Sequence, residues 1–139
     1  MKIIEAINQI DSLKRNTYSQ SDKIRWLSRL DLMIWRLIIS THEGIPMVPE
    51  EPSEEDAEPV MKPMEFHGYD DSTPADTELL AYAPFDQMYL NWMEAQIDYE
   101  NGEFDRYNNA IVVFNTCFGQ FRNDYNAHHK ALTKGTFRL

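Results

Sequence analysis

Apolar residues recur at the three- and four-residue spacing of an amphipathic helix in four separate stretches of the chain. The first stretch covers about three turns from the N-terminus and ends near Asn16. The second runs from about Gln20 to Thr41, and Ser19 before it is suited to accept hydrogen bonds from free N–H groups. Its apolar residues lie on more than one face, which predicts that this helix packs centrally.

Two further helices are predicted in the C-terminal half, separated only by Asn101 and Gly102. The third begins at Pro84, and the fourth begins at Glu103 and continues for about six turns. Because the connection is short, we predict that these helices pack antiparallel as an αα-hairpin with their aromatic faces together. The predicted inward residues are Phe85, Met88, Tyr89, Trp92, Gln96 and Tyr99 on the third helix and Phe104, Tyr107, Ile111, Phe114, Phe118, Phe121 and Tyr125 on the fourth.

The four helices predict an all-α fold, with a four-helix body made of two helical pairs. A chain of 139 residues is the size of one domain and is long enough to bury a core. We therefore predict a single helical domain over residues 1–139.

The segment from Gly44 to Glu78 interrupts this helical pattern between the second and third helices. It holds eleven of the 23 acidic residues and six of the seven prolines, but only one of the 13 basic residues. Prolines and the scarcity of large apolar groups exclude a helix or a core strand and predict an extended acidic arm, mobile in isolation. The twelve acidic residues outside the arm are matched by twelve basic ones, so the formal charge of −10 belongs to the arm.

The arm supplies the candidate partner-contact residues. Its apolar patch either folds back on the body or docks onto a partner, and both outcomes are left open. The candidate apolar contacts are Val60, Met61, Met64 and Phe66, and the candidate acidic contacts are Glu50, Glu51, Glu54, Glu55, Asp56 and Glu58.

Spacing argues against a metal, a cofactor or a catalytic site. On a helix, the adjacent residues His128 and His129 point about 100° apart and cannot easily share an ion. Glu94 and Asp98 lie one turn apart, but no Glu-x-x-His pair accompanies them, so we predict a solvated face. Cys117 is predicted to be a small buried filler, and no nucleophile motif or phosphate-binding glycine loop is present. We predict no catalytic residue, no cofactor and no metal.

Asp31 lies within one turn of Leu27, Ile34 and Trp35 on the second helix, among apolar positions. We expect a structural carboxylate paired with the indole N–H of Trp35 or with a nearby Lys or Arg. The alternative is an enzyme with an unfamiliar site, which a carboxylate with a strongly raised pKa in an aromatic pocket would favour.

Composition argues against tight nucleic-acid binding, a transmembrane helix and a signal peptide. Tight binding to nucleic acid requires clustered cations that release counterions from phosphates, and this acidic chain has no Lys/Arg cluster. No apolar run approaches the roughly 20 residues of a transmembrane helix. Glu5 interrupts the stretch where a signal peptide is apolar, so we expect the chain to stay in the cytoplasm where it is made.

Three blocks around the arm carry a resemblance to a known group of proteins. They are SQSDKIRWLSRLD at Ser19–Asp31, THEG at Thr41–Gly44 and ELLAYAPFDQMYLNWMEAQIDYENGEFDRYNNAIVVFN at Glu78–Asn115. In these blocks the chain resembles small head-tail connector, or adaptor, proteins of tailed phages and prophages of Gram-positive bacteria.

The resemblance implies a non-enzymatic structural protein that assembles as a homo-oligomeric ring, joins the portal to the tail and continues the DNA channel. Its implied partners are the portal and other connector or tail-completion proteins, with DNA as passing cargo and no membrane or small-molecule substrate. It implies residence in the bacterial host cytoplasm during assembly and then at the head-tail junction of the virion. No individual binding residue is carried over.

A second function stays open beside the first. A phage-encoded binding or regulatory module could use the acidic arm to imitate nucleic acid and occupy a basic partner. Such a mimic needs carboxylates on a rigid surface at phosphate-like spacing, whereas frequent prolines without regular structure indicate slack. A wall of carboxylates that repels passing phosphates suits a conduit, which favours the connector.

Overall fold

The computed structural model describes residues 1–51 and 58–132 of the chain, and these are mostly helical, as predicted. A short 3-10 helix, Ile39–Thr41, follows the second α-helix. The four α-helices are α1 (Ile3–Leu13), α2 (Gln20–Leu37), α3 (Gln87–Glu100) and α4 (Phe104–His128). No helix within the described ranges has both the length and the apolar character required to cross a membrane.

The predicted start of α2 is confirmed at the level of its cap. Ser19 has extended backbone geometry, and its hydroxyl accepts a hydrogen bond from the backbone N–H of Asp22 at 3.1 Å. This bond satisfies one of the N–H groups that a helix leaves without partners in its first turn. The carboxylate of Asp22 lies in the same turn, where it interacts favourably with the helix dipole.

α2 packs against α1, α3 and the 3-10 helix, and α3 contacts all three other α-helices. Within the described residues, α4 contacts no helix except α3. Burial around α3 is correspondingly broad and includes Met93, Ala95 and Ile97, none of them on the predicted aromatic stripe. Tyr99, which was predicted to point inward, is 54% exposed. The aromatic stripe of α3 correctly predicted the face that packs against α4, but it did not include the residues of α3 that pack against α1 and α2.

The aromatic stripe of α4 is buried only along part of its length. Phe114, Phe121 and Tyr125 are buried, whereas Phe104 is 57% exposed at the N-terminal end. Phe104 lies at the hairpin turn, where it contacts the exposed Tyr99 ring, whereas the C-terminal part of the 25-residue α4 extends past the 14-residue α3 and is covered by Tyr82, Phe85 and His42. The two helices meet through ring pairs such as Trp92 and Phe114, whose centroids are 5.1 Å apart.

The arm contains a two-stranded antiparallel sheet, which the all-α prediction did not include. Strand β1 (Met47–Pro49) pairs with β2 (Met61–Pro63), with Met47 opposite Pro63 and Pro49 opposite Met61. Beyond the strands, Glu50 N–H donates to the Val60 carbonyl at 2.7 Å, and Met64 N–H donates to the Pro46 carbonyl at 2.8 Å.

The two prolines inside these strands fit the ladder because antiparallel pairs alternate between hydrogen-bonded and non-hydrogen-bonded positions. Glu50 pairs with Val60 through a hydrogen bond, so the neighbouring pair of Pro49 and Met61 is a non-bonded one. A missing N–H at such a position removes no ladder bond. Proline density therefore excludes a core strand but not a short two-stranded ribbon.

The C-terminal part of the predicted arm packs on the body. The carbonyls of Thr77 and Ala75 accept the free N–H groups of Ile3 and Ile4 in the first turn of α1, both at 3.0 Å. Gly68 has a φ of +83°, and a Cβ there would lie 2.4 Å from the Ser28 hydroxyl oxygen. These contacts leave 45–51 and 58–66 as the described parts of the arm that project, and we term residues 45–66 the arm hairpin.

Candidate partner-binding surface

A buried carboxylate holds together the three segments that support the arm hairpin. Asp31 of α2 accepts hydrogen bonds from the Tyr69 hydroxyl at 2.5 Å, the Leu80 N–H at 3.0 Å and the Tyr89 hydroxyl at 2.6 Å. The Tyr89 oxygen in turn accepts the Ala81 N–H at 2.7 Å. The predicted partners of Asp31, the Trp35 indole or a basic side chain, are therefore wrong.

Burial raises the pKa of Asp31 from 3.8 to about 6, because the ionised form loses its hydration. The hydrogen bonds from Tyr69, Tyr89 and Leu80 and the nearby N-terminal amine oppose this rise. Asp31 has no solvent exposure, and both of its oxygens already accept protein hydrogen bonds. The raised pKa of Asp31 therefore accompanies a fully buried carboxylate whose oxygens are occupied by protein hydrogen bonds, which is the environment of a structural residue.

This pKa predicts how stability changes with pH. Between about pH 4 and pH 6 the folded protein binds a proton at Asp31 that the unfolded chain does not, so this residue's contribution becomes more favourable as pH falls. The full change is about 3 kcal/mol at about 1.4 kcal/mol for each pKa unit. Urea unfolding of the wild type and Asp31→Asn from pH 4 to 7 measures it. We expect the wild type to gain stability relative to the variant as pH falls, and a constant difference would contradict the assignment.

The N-terminal root of the arm is fixed by the segment that follows α4. Glu43 N–H donates to the Lys130 carbonyl at 2.8 Å, and Leu132 N–H donates to the Thr41 carbonyl at 2.9 Å. Between them the buried His42 ring packs edge-on against Tyr125, with centroids 5.0 Å apart. The chain therefore leaves the body at a fixed point.

The C-terminal root is fixed by Phe66, one of the predicted contact residues. Its ring lies 5.9 Å from Trp35 and 5.3 Å from Tyr69. Phe66 and Met64 are half-buried, whereas Val60 and Met61 are 63% and 51% exposed. The predicted apolar patch is thus divided: Phe66 folds back on the body, and Val60 and Met61 are exposed.

One face of the arm hairpin is apolar and exposed. Residues two apart on a strand share a face, and so do directly paired residues, which places two methionines and two prolines together. They are Met47, Pro49, Met61 and Pro63, all exposed. Met47, at 52% exposure, was missed by sequence reasoning, although its alternation with Pro49 could have indicated it. The candidates Glu50, Glu51 and Glu58 are exposed, and Glu54, Glu55 and Asp56 lie outside the described residues.

A groove between α2 and α3 combines apolar and basic side chains, and the sequence analysis did not identify it. Its lining residues are Arg29, Leu32, Met33, Arg36, Trp92 and Gln96. The Trp92 indole N–H donates to the Trp26 carbonyl at 2.9 Å, which fixes its ring, and Arg29 donates to the Gln96 side-chain oxygen at 3.3 Å. Among the described residues, neither Arg29 nor Arg36 forms an ion pair.

The other candidate groups are structural or dispersed. Asp98 was predicted on a solvated face but is fully buried and forms an ion pair with Lys14, while Glu94 is exposed. Cys117 is half-buried, and burial raises its thiol pKa. Over residues 1–51 and 58–132, no three His, Cys, Asp or Glu side chains are grouped to hold a metal ion.

Comparisons with family models, curated proteins and solved structures give no match to this chain. The evidence for function is therefore the arm hairpin, the groove between α2 and α3 and the sequence resemblance.

Proposed function

We propose that this protein is a structural head-tail connector adaptor of a tailed phage or prophage, which joins the portal to the tail and continues the DNA channel. The observation that carries the proposal is the arm hairpin itself. Both of its roots are fixed to the helical body, yet its apolar face and its described carboxylates, Glu50, Glu51, Glu58 and Glu65, are exposed. A segment presented in this way is suited to reach a neighbouring subunit.

The charge distribution supports the same proposal. Residues 45–66 contain seven acidic residues and one lysine, and the sequence outside 44–78 is formally neutral. Carboxylates on a channel-side segment would repel DNA phosphates and let the DNA pass without being held. In this proposal DNA is cargo, and the bound partners are the portal, other connector proteins and further copies of this chain.

The test is to mix the protein with the portal protein encoded beside it and to image the mixture by negative-stain electron microscopy. We expect a ring stacked on one face of the portal. The matched control is the same mixture with a portal from an unrelated phage, which should remain bare. Absence of association with its own portal across a range of salt concentrations would contradict the proposal.

A further inference from the structure

We propose that the groove between α2 and α3 receives the arm hairpin of a second copy of this chain. The inference rests on the proposed function and deepens it by identifying the contact that links subunits in the ring. It also predicts that the hairpin of one copy binds the groove of another in the absence of the portal.

The groove has the charge that an acidic ligand requires. Arg29 and Arg36 lie seven residues apart on α2, with Leu32 between them, so the three side chains share one face of the helix. The other arginine of this helix, Arg25, pairs with Asp22 at 2.8 Å. Within the described ranges Arg29 and Arg36 meet no carboxylate, although guanidinium and carboxylate groups form strong paired hydrogen bonds.

The groove also has an apolar surface that matches the hairpin. Leu32 is 38% exposed, and the half-buried Met33 and Trp92 line the groove beside it. The hairpin offers Met47 and Met61 on one face, each about half exposed, and the exposed Glu50 and Glu51 follow directly after β1. Methionine adapts its shape to an aromatic surface, and nearby charges of opposite sign set the orientation.

The occupant we infer is a second copy because, among the described residues of the hairpin, 45–51 and 58–66, none lines the groove in its own subunit. The roots of the hairpin are held by the segment after α4 and by Trp35, the residue before the groove residue Arg36 on α2. A contact between hairpin and groove joins two different surfaces and is therefore heterologous, and such contacts generate rings when the rotation closes.

The decisive experiment uses charge reversal in the full chain, with sedimentation velocity at increasing protein concentration as the measurement. We expect the wild type to self-associate and either Arg29→Glu/Arg36→Glu or Glu50→Lys/Glu51→Lys/Glu58→Lys to remain monomeric. The control Arg15→Glu/Arg122→Glu makes the same charge change as the groove variant, at exposed arginines outside the groove, and should associate like the wild type. Circular dichroism checks that each variant is folded.

Mixing the two monomeric variants distinguishes a second copy from the chain's own hairpin. One variant retains its groove and the other its hairpin, and the reversed hairpin also matches the reversed groove in charge, so the mixture should associate although neither variant does so alone. A chain carrying both sets of reversals should associate again, since the charges are exchanged rather than removed. Failure of the mixed variants to pair, or a wild type that is monomeric at every accessible concentration, would overturn the inference.

Portal binding is measured separately on the same variants. If the protein binds the portal while charge reversal leaves self-association unchanged, this inference fails and the proposed function stands. If self-association follows the hairpin and the groove but no portal binding occurs, the proposed function fails and this contact stands.

Discussion

Replacing Asp31 by alanine should lower the free energy of unfolding by about 3 to 5 kcal/mol, because three donors lose their acceptor at once. Tyr69, Leu80 and Tyr89 all donate to this carboxylate, and Asp31 is fully buried. The loss should also loosen the C-terminal root of the arm, which Tyr69 connects to α2. Urea unfolding at pH 7 measures the energy.

Asp31→Asn is the matched control for this prediction. An amide oxygen in the Oδ2 position still accepts from Tyr69 and Leu80, and the amide nitrogen is placed to donate to the Tyr89 oxygen. The variant also removes a charge that is costly to bury. We expect it to be much more stable than Asp31→Ala, and equal losses in the two variants would contradict the role assigned to this network.

Replacing Phe121 by alanine should cost about 3 to 5 kcal/mol, the range for a large buried aromatic side chain. The ring has no exposed surface and packs against Tyr82, Phe85 and Tyr125 at centroid distances of 5.2, 6.0 and 5.9 Å. These contacts connect α4 to the segment that leads into α3. Thermal and urea unfolding of the variant measure the loss.

Phe104→Ala provides the comparison for Phe121→Ala, because it makes the same chemical change in the same helix. Phe104 is 57% exposed, so its replacement should change the free energy of unfolding by less than about 1 kcal/mol. If the two variants lose equal stability, α4 does not pack on the body as described.

The helices were predictable because their signals are local. The apolar spacing of α2 and α4, the Ser19 cap and the Asn101-Gly102 turn each involve residues within a few positions of one another. Helical periodicity and capping act over that same range, which is why sequence alone predicted them.

The candidate surfaces were less predictable because they depend on distant segments. Asp31 meets Tyr69 and Tyr89 from positions 38 and 58 residues away, and no local pattern indicates such partners. The spacing of Arg29, Leu32 and Arg36 did indicate a shared face. The groove also requires Trp92 of α3, and its position beside the three α2 residues depends on how the two helices pack.

The arm hairpin lies between these cases. Its prolines correctly argued against a helix. The strand register was not predictable, because Met47 pairs with Pro63 far along the chain and the sequence between them contains no known hairpin-turn signal. The exposure of Val60 and Met61 and the burial of part of Phe66 depend on where the hairpin leaves the body. Sequence alone left that choice open.

Hydrogen exchange on the free protein and on its complex with the portal tests the central claim most directly. In the free protein we expect rapid exchange at amides in residues 45–66 and slow exchange in α2 and α3. On assembly the protection of residues 45–66 should rise while the helices change little. Equal protection of residues 45–66 in the two states would contradict an arm that contacts a neighbouring subunit.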